Sequence, residues 1–402
     1  MNKFKKLGLS KNLLDAIEKL GFEEPTQIQE ESIPHIIEGR DVLGESATGS
    51  GKTFAFGCGI VEKVVPKEGL QALVLTPTRE LAEQVKNALQ VFTSDKKLKM
   101  ITVYGGVSIN PQIDALPTSE VVVATPGRLL DHMERGTIDL SKVQIVVLDE
   151  ADRMFDMGFI EDVEKIFSQC PKKRQTLLFS ATISSRVRDL ANHNLYKPVE
   201  VRAVKHVDPS LLKQIYYDVE KNLKLPLLVN LLKKEASDLV MVFCNTRNNV
   251  DFVEKNLRSN GIKATAIHGG LSQNKRTNTI NSFNDGKTHV LVCTDVAARG
   301  LHIDNVSHVY NYEIPNASED YVHRIGRTAR AGEEGMVINL LCHFDHDNFS
   351  RVLNDYRELD IPRIDVPELE RIQIVKVSND RRRGGFRGGS RGGNRSGGHR
   401  RR

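Results

Sequence analysis

Short apolar runs rich in valine, isoleucine and leucine alternate with longer helical patterns, first in one half of the chain and then in the other. This alternation predicts repeated strand–helix–strand units. Because the runs are apolar on both faces, we expect parallel sheets with helices on both sides, in two doubly wound α/β domains. The runs cover residues 72–77, 121–126, 144–150 and 176–182 in the first half, and 239–246, 264–270, 288–295 and 335–341 in the second.

The domain boundaries are expected where this alternation fades. We predict a first domain at residues 1–203, a linker at 204–212, a second domain at 213–365 and a tail at 366–402. The linker mixes charge with a proline and has no regular period. The tail has an Arg/Gly-rich end with too few apolar residues to pack, so we expect residues 366–402 to be disordered and flexible.

The net charge of +5 is distributed unevenly along the 402 residues. Residues 381–402 contain nine arginines and no acid, which leaves a net charge of −4 for the rest of the chain. A nearly neutral body with a polycationic extension is typical of a protein that binds a polyanion.

Apolar segments and cysteines limit the class of protein. No stretch approaches the roughly 18 apolar residues of a membrane-spanning helix, and the start lacks the apolar segment of a secretion signal. We therefore expect a cytoplasmic location and no membrane partner. The cysteines form no C-x-x-C pair, so we interpret them as reduced core residues: Cys58, Cys170, Cys244, Cys293 and Cys342.

Polar clusters follow nearly every apolar run, at the point where the predicted strand ends. In open parallel sheets, ligands bind outside the carboxyl ends of the strands. We therefore expect both domains to present their functional residues along one edge, with the active site in the cleft between them.

Residues 46–53 read Ser-Ala-Thr-Gly-Ser-Gly-Lys-Thr and lead from a short apolar run into a helical pattern. Glycines allow backbone N–H groups to surround an anion at a helix N-terminus, lysine reaches the β and γ phosphates, and threonine can bind Mg²⁺. The strict phosphate-binding pattern has glycine at position 46, and the alternative is an ordinary glycine turn. The residues assigned to the phosphates are Ser46, Ala47, Thr48, Gly49, Ser50, Gly51, Lys52 and Thr53.

Two adjacent carboxylates, Asp149 and Glu150, end a buried strand run. Burying both is costly unless they serve a cation. We predict that Asp149 holds Mg²⁺ together with Thr53, and that Glu150 orients and deprotonates an attacking water. The alternative is a charged strand end that faces solvent.

A basic segment at residues 321–330 has no acid among its members. His323, Arg327 and Arg330 lie at i, i+4 and i+7, which would form one stripe if the segment is helical. Both arginines would then enter the cleft from the second domain and stabilise charge on a transferred phosphoryl group. The alternative is a solvated basic helix.

The order of these motifs resembles the DEAD-box RNA helicase family, from Phe4 to about residue 345. Residues 21–29, Gly-Phe-Glu-Glu-Pro-Thr-Gln-Ile-Gln, are similar to its Q motif. The resemblance implies two RecA-like domains, with Phe22 stacked on adenine and Gln29 reading its edge, so that the cofactors are ATP and Mg²⁺. It also assigns Phe4 and Gly300 to the nucleotide site.

The resemblance further implies RNA contacts at the remaining strand ends, through groups that bind phosphate without reading sequence. It assigns coupling between the ATP site and RNA to Ser180, Thr182, Asp152 and His323. The RNA-binding residues would be Pro77, Arg79, Gly106, Thr125, Arg128, Arg247, Gly269, Gly270, Arg276 and Thr294.

Two positions depart from the family pattern. The family often has aspartate where this chain has His302, which puts the expected ribose contact in question. Ala329 replaces a frequent glycine, and we expect it to stiffen a helix.

These features predict an RNA-stimulated ATPase that closes two domains on ATP and single-stranded RNA and locally separates short duplexes. The alternative is an RNA clamp or annealing protein dominated by the tail, and a DNA motor is a third possibility. In the tail, Arg383, Arg387 and Arg391 begin R-G-G repeats that suit non-specific RNA binding, or else serve only for solubility or condensation.

Overall fold

A computed structural model of the chain describes residues 3–46, 49–93, 96–203, 212–234, 238–298, 303, 306–329 and 334–375. These residues form two parallel sheets flanked by helices. The strands are β1 Val42–Ser46, β2 Ala72–Leu75, β3 Met100–Val103, β4 Val121–Ala124, β5 Ile145–Leu148, β6 Gln175–Ser180, β7 Val199–Ala203, β8 Leu212–Asp218, β9 Leu239–Phe243, β10 Ala264–Ile267, β11 Val290–Cys293, β12 Val306–Asn311 and β13 Gly335–Leu341.

The α-helices lie between these strands. They are α1 Lys11–Lys19, α2 Gln27–Ile37, α3 Lys52–Lys63, α4 Arg79–Phe92, α5 Asn110–Ala115, α6 Pro126–Glu134, α7 Ala151–Asp156, α8 Ile160–Gln169, α9 Ser185–Asn194, α10 Lys224–Lys234, α11 Arg247–Ser259, α12 Gln273–Asn284, α13 Asp295–Ala298, α14 Ser318–Ile325 and α15 His346–Asp355. Among the described residues, no helix is long and apolar enough to cross a bilayer.

All strand pairings in both sheets are parallel. The first sheet has the order β3-β4-β2-β5-β6-β1-β7, and the second has the order β10-β11-β9-β12-β13-β8. Neighbouring strand residues point into separate apolar clusters, as Val42 and Leu43 do, so helices cover both faces. The predicted doubly wound class is confirmed.

Strands flank the predicted linker at 204–212, and its last residue belongs to one of them. Residues 199–203 form β7 at the edge of the first sheet, and Leu212 begins β8 at the edge of the second. An edge strand is half exposed and alternates polar with apolar residues, so it lacks the continuous apolar run of a central strand. Residues 204–211 lie outside the described part of the chain.

The five cysteines are buried and carry free thiols. Burial raises the pKa of Cys170 to about 11 and that of Cys293 well above its usual value. These side chains are therefore neutral members of the apolar core at physiological pH, as predicted from their surroundings in the sequence.

Candidate functional site

The end of β1 and the start of α3 form a glycine-rich turn. Gly49 and Gly51 have φ values of 82° and 92°, which glycine adopts without strain. The Ser50 hydroxyl donates to the Ser46 hydroxyl at 3.0 Å, and Lys52 Nζ donates to the Ser46 carbonyl at 3.3 Å. The turn therefore holds a buried lysine at the N-terminus of a helix, where an anion is favoured.

Gln29 connects the Q-like segment to this turn. Its amide oxygen accepts from the Thr26 N–H at 3.0 Å and its amide nitrogen donates to the Gly51 carbonyl at 3.2 Å. A Cβ at position 51 would lie 2.2 Å from that nitrogen, so only glycine fits there. The Gln29 side chain thus positions the turn as well as α2, and its reading of adenine stays a prediction.

A cluster of phenylalanines lies beside the turn. Phe54 packs edge-on against Phe4 and Phe22, each with a centroid distance of 5.6 Å. Phe4 is 1% exposed whereas Phe22 is 45% exposed. Phe22 is therefore the ring that a planar ligand can reach, and Phe4 supports it from within through Phe54.

Asp149 and Glu150 follow β5 and are both buried. Asp149 Oδ1 lies 3.9 Å from Lys52 Nζ and accepts no hydrogen bond from the described residues. Burial raises the pKa of Asp149 to about 6 in spite of Lys52, and Glu150 adds to the increase. A buried carboxylate without a full set of partners fits a cation site, and this fit includes Mg²⁺.

Glu150 has a left-handed backbone conformation, with φ 55° and ψ 53°. Its Oε2 lies 3.4 Å from the Arg153 guanidinium but is too poorly aligned with it for a hydrogen bond. A non-glycine residue in this conformation costs roughly 1–3 kcal/mol and is frequent at functional sites. One oxygen of this second acid is therefore buried and accepts no hydrogen bond from the described residues.

The residues assigned to coupling within the first domain contact one another. Asp152 Oδ2 accepts from the Thr182 N–H at 3.1 Å and from its hydroxyl at 3.3 Å. The Ser180 hydroxyl accepts from the Asp152 N–H at 3.1 Å and donates to the Thr182 carbonyl at 2.7 Å. The ends of β5 and β6 are therefore tied together directly beside the two acids.

The first sheet brings several predicted RNA-binding residues to one edge. Arg79 lies so close to Gly106 that a Cβ there would be 2.0 Å from its guanidinium. Arg128 donates to the Val107 carbonyl at 3.2 and 3.3 Å. Pro77 and Thr125 follow β2 and β4, two strands that pair directly.

The second sheet repeats this arrangement. Arg247 begins α11 after Thr246, as Arg79 begins α4 after Thr78. A Cβ at Gly269 would lie 3.1 Å from the Arg247 guanidinium. His268 holds the adjacent turn, because its Nδ1 accepts from the Gly270 N–H at 3.1 Å. Thr294 follows β11 at the same edge.

The predicted stripe of His323, Arg327 and Arg330 on one helix is wrong. Helix α14 ends at Ile325, and Ala329 has a φ of 53°, so it lies outside any helix and does not stiffen one. Gly326 ends the helix, which turns the chain before Arg327. His323 and Arg327 nevertheless line one recess together with Asp295.

Arg324 is a central residue that the sequence patterns did not single out. Its five N–H groups make five hydrogen bonds of 2.5–3.0 Å, and the side chain is 1% exposed. The acceptors are the Asp295 carboxylate, the Asn311 and Asn245 side chains and the Glu313 carbonyl. The spacing of Arg327 and Arg330 predicted positive charge in the cleft. A buried arginine whose N–H groups are all bonded within the domain has no sequence signal of its own.

Glu80 of α4, in the first domain, contacts helix α12 of the second domain. Its carboxylate accepts from the Gln273 amide at 3.0 Å and lies 2.8 Å from Arg276 Nε, although that N–H is poorly aligned. The Glu80 and Arg276 side chains are 9% and 12% exposed. Arg276, assigned to RNA from the sequence, is therefore placed between the domains, and its RNA contact stays a prediction.

Several predicted residues lie outside the part of the chain that the structure describes. They are Ala47, Thr48, Gly300, His302, Arg330, Arg383, Arg387 and Arg391.

Two family profiles match the chain. Residues 26–190 match the DEAD/DEAH box helicase family, and residues 223–332 match the helicase conserved C-terminal domain. The DEAD-box ATP-dependent RNA helicase CshA of Bacillus cereus (strain ATCC 10987 / NRS 248) is 43% identical over 374 residues, 92% of this chain and 71% of the relative. That of Geobacillus kaustophilus (strain HTA426) is 47% identical over 345 residues, 85% and 74% of the two chains.

The glycine-rich turn, the paired acids and the two RecA-like sheets define a nucleotide-dependent helicase. The chain belongs to the family of DEAD-box ATP-dependent RNA helicases, and it is an enzyme that uses ATP to remodel RNA.

Solved structures agree with this assignment. Saccharomyces cerevisiae Dbp5 bound to RNA and ADP BeF3 is 30% identical and matches with a TM-score of 0.83, over 91% of this chain and 96% of that one. A DEAD box protein from Methanococcus jannaschii is 40% identical and covers 90% and 98% of the two chains, but its TM-score is 0.54.

Proposed function

We propose that this protein is an RNA-stimulated ATPase that closes its two domains on ATP and single-stranded RNA and thereby separates short RNA duplexes locally. The observation that carries the proposal is the contact of Glu80 with Gln273 and Arg276 across the two domains. Dbp5 bound to RNA and ADP BeF3 matches this chain with a TM-score of 0.83, whereas the Methanococcus jannaschii protein, which is more identical in sequence, matches with only 0.54. The better match to the RNA-bound and nucleotide-bound protein supports the closed arrangement of the two domains.

The division of the nucleotide site supports a mechanism based on closure. Lys52, Asp149 and Glu150 belong to the first sheet's domain, whereas Arg327 belongs to the second. Residues on both sides of the cleft would meet the phosphates only when the domains close. ATP and RNA would each favour the closed form, and by linkage each would raise the affinity for the other by the same factor.

The residues of the first domain would divide the work at ATP. Lys52 and the N–H groups of the glycine turn would bind phosphate oxygens, and Phe22 would pack on the base. Asp149 and Thr53 would hold Mg²⁺, which neutralises charge on the phosphates when bound. Glu150 would accept a proton from the attacking water.

RNA would lie along the strand ends of both domains. Arg79, Arg128 and Arg247 point to a strand bound through its phosphates, which favours recognition with little sequence specificity. The Arg/Gly tail would add salt-sensitive affinity. The domain boundaries given above and a cytoplasmic location are part of the proposal.

A charge exchange across the cleft tests closure. We expect Glu80→Arg to lower RNA-stimulated ATP turnover about tenfold, because it faces Arg276 with a like charge. Exchanging both residues, Glu80→Arg with Arg276→Glu, should restore most of this loss, while turnover without RNA stays unchanged in all variants. Failure of the double exchange to restore turnover would place Arg276 on RNA and remove the interdomain contact from the mechanism.

A second comparison distinguishes this function from the alternative, which is an ATP-regulated clamp or annealing protein dominated by the tail. ATP turnover is measured with and without single-stranded RNA, in the intact chain and in a chain that ends at residue 375. No stimulation of the intact protein by RNA would contradict the motor. Stimulation by RNA that disappears in the chain ending at residue 375 would favour the alternative.

A further inference from the structure

Three asparagines of the second domain bind the backbone of the segment 369–375, which we call the strap. This segment belongs to the predicted tail, so the prediction of flexibility from residue 366 is wrong for it. Asn230 accepts from the Glu370 N–H at 3.0 Å and donates to its carbonyl at 3.3 Å. Asn260 accepts from the Gln373 N–H at 3.0 Å and donates to its carbonyl at 2.8 Å. Asn256 does the same for Val375, at 2.7 and 3.1 Å.

Each asparagine amide replaces the peptide group of a neighbouring strand, because it offers one acceptor and one donor to one residue. Asn230 and Asn256 are 3% and 0% exposed, and the amide oxygen of each accepts its hydrogen bond from the strap. Leu369 and Ile372 pack against the apolar cluster beneath the strap. The second domain therefore binds the strap through its backbone N–H and carbonyl groups and through the side chains of Leu369 and Ile372.

The register of the strap on α11 sets its direction. Asn256 and Asn260 are one helical turn apart, about 6 Å, and two extended residues cover about 6.6 Å. The chain passes Asn260 at Gln373 and Asn256 at Val375, so it runs toward the start of α11. From Asn256, Arg247 lies nine helical residues further on, about 14 Å away.

We propose that the strap anchors the Arg/Gly tail and aims its start at the edge of the second domain that carries Arg247, where it adds contacts to an RNA strand extending beyond the two domains. The tail then follows from Lys376, and its nine arginines lie within residues 381–402. Anchoring at this point raises the effective concentration of these cations near one end of the RNA strand that would lie along the strand ends of both domains. The RNA part of this inference rests on the proposed function, whereas the anchoring does not.

Thiol cross-linking in the full-length protein without RNA tests the direction of the tail. The native cysteines are buried, so introduced thiols react selectively. Ser378→Cys is combined with Asn248→Cys, at the exposed start of α11, or with Lys263→Cys, exposed beyond its other end. With a short bismaleimide we expect cross-linking to position 248 to be about fivefold faster, as expected for a difference in effective concentration. Equal rates would overturn the proposal.

Proline variants provide the matched control. Gln373→Pro with Val375→Pro removes two N–H groups that the asparagines bind, so the ratio of the two rates should fall to about one. Ile374→Pro should leave the ratio unchanged, because the Ile374 side chain is 53% exposed and its N–H donates no hydrogen bond among the described residues. An unchanged ratio in the double variant would show that the asparagines do not aim the tail.

RNA affinity then tests what the anchoring is for. Relative to Ile374→Pro, the double proline variant should bind a long single strand about threefold more weakly at low salt, with ATP turnover at saturating RNA unchanged. Equal affinities would overturn the RNA part while leaving the cross-linking result standing. Because cross-linking needs neither RNA nor ATP, its failure is distinct from a failure of RNA to stimulate ATP turnover.

Discussion

The two domains have the same strand order in six positions but treat buried charge in opposite ways. After β5, at the carboxyl edge of the first sheet where the strands end, Asp149 and Glu150 each keep a buried oxygen that accepts no hydrogen bond from the described residues. After β12, in the equivalent position of the second sheet, Arg324 fills the space and all five of its N–H groups are bonded. The first edge is arranged for a ligand, and the second is arranged for rigidity.

The same contrast extends to the neighbouring strands. Strand β1 ends in the glycine turn with Lys52, whereas its counterpart β8 ends at Asp218. The glycine turn predicted to bind phosphate therefore belongs to the first domain. The second domain instead contributes Arg327 next to a saturated network. Substitutions at the first edge should therefore affect turnover, and those at the second should affect stability.

Glu150→Gln tests the first half of this contrast and should have the largest effect. We expect RNA-stimulated ATP turnover to fall by about 10²–10⁴-fold, because the amide cannot accept the proton of the attacking water. Thermal unfolding should be unchanged or slightly raised, since the side chain loses a poorly partnered charge. Glu164→Gln, an exposed acid on α8, is the control and should change neither quantity. A large drop in the unfolding temperature of Glu150→Gln would make the acid structural.

Arg324→Ala tests the second half. It removes five hydrogen bonds and leaves Asp295 without its partner, so the second domain should lose about 3–5 kcal/mol of unfolding free energy. Arg258→Ala removes an ion pair whose arginine is 68% exposed and should cost less than about 1 kcal/mol. Denaturant unfolding measures both. Similar losses in the two variants would contradict the structural role of the Arg324 network.

Asp345 extends the contrast to pH. Burial alone would raise the pKa of this carboxyl, but Lys224 at 2.7 Å and hydrogen bonds from Cys342 and Ile314 outweigh it, and the pKa lies below its usual value. The ion pair therefore stabilises the fold fully above the ordinary carboxyl pKa of about 3.9, and this stabilisation is lost as the pH falls through the lower folded value.

Asp345→Asn should accordingly destabilise the second domain by about 3 kcal/mol at pH 7, with a difference from the parent that shrinks below about pH 4. The measurement is the unfolding free energy of both proteins across this range. Asp285→Asn removes an exposed ion pair with Lys287 and serves as the control, with little effect at any pH. A difference that does not depend on pH would exclude the ion pair as its source.

Ala329→Gly should have the smallest effect and the opposite sign. Ala329 and Glu150 both have left-handed backbone conformations beside predicted catalytic residues, with φ values of 53° and 55°. Glycine at position 329 removes steric strain of about 1–2 kcal/mol but adds freedom to the unfolded chain, so we expect a net gain of up to about 1 kcal/mol. Ala88→Gly, inside α4, should instead lose about 1 kcal/mol. Destabilisation by Ala329→Gly would contradict the expected steric strain at position 329.

Residues with local signals could be predicted from the sequence. The glycine turn and the paired acids combine residue type with short spacing, and the central strands are continuous apolar runs because helices cover both of their faces. Strands β3, β7, β8 and β12 were missed. Strand β3 is a short strand at the edge of its sheet, and polar residues interrupt the apolar patterns of the other three. Local spacing also suggested one helix through Arg327, which the end of α14 at Ile325 rules out.

The sequence by itself therefore determined the fold class and the family, and it predicted the residues that face phosphate, since each signal depends on a few neighbouring positions along the chain. Only the tertiary structure decided which charges are left for a ligand and which are saturated, as Asp149 and Arg324 show. It also decided that Glu80 meets Arg276 and that three asparagines hold the strap. These pairings join residues more than 100 positions apart, and hydrogen-bond partners at that separation are chosen by packing rather than by spacing.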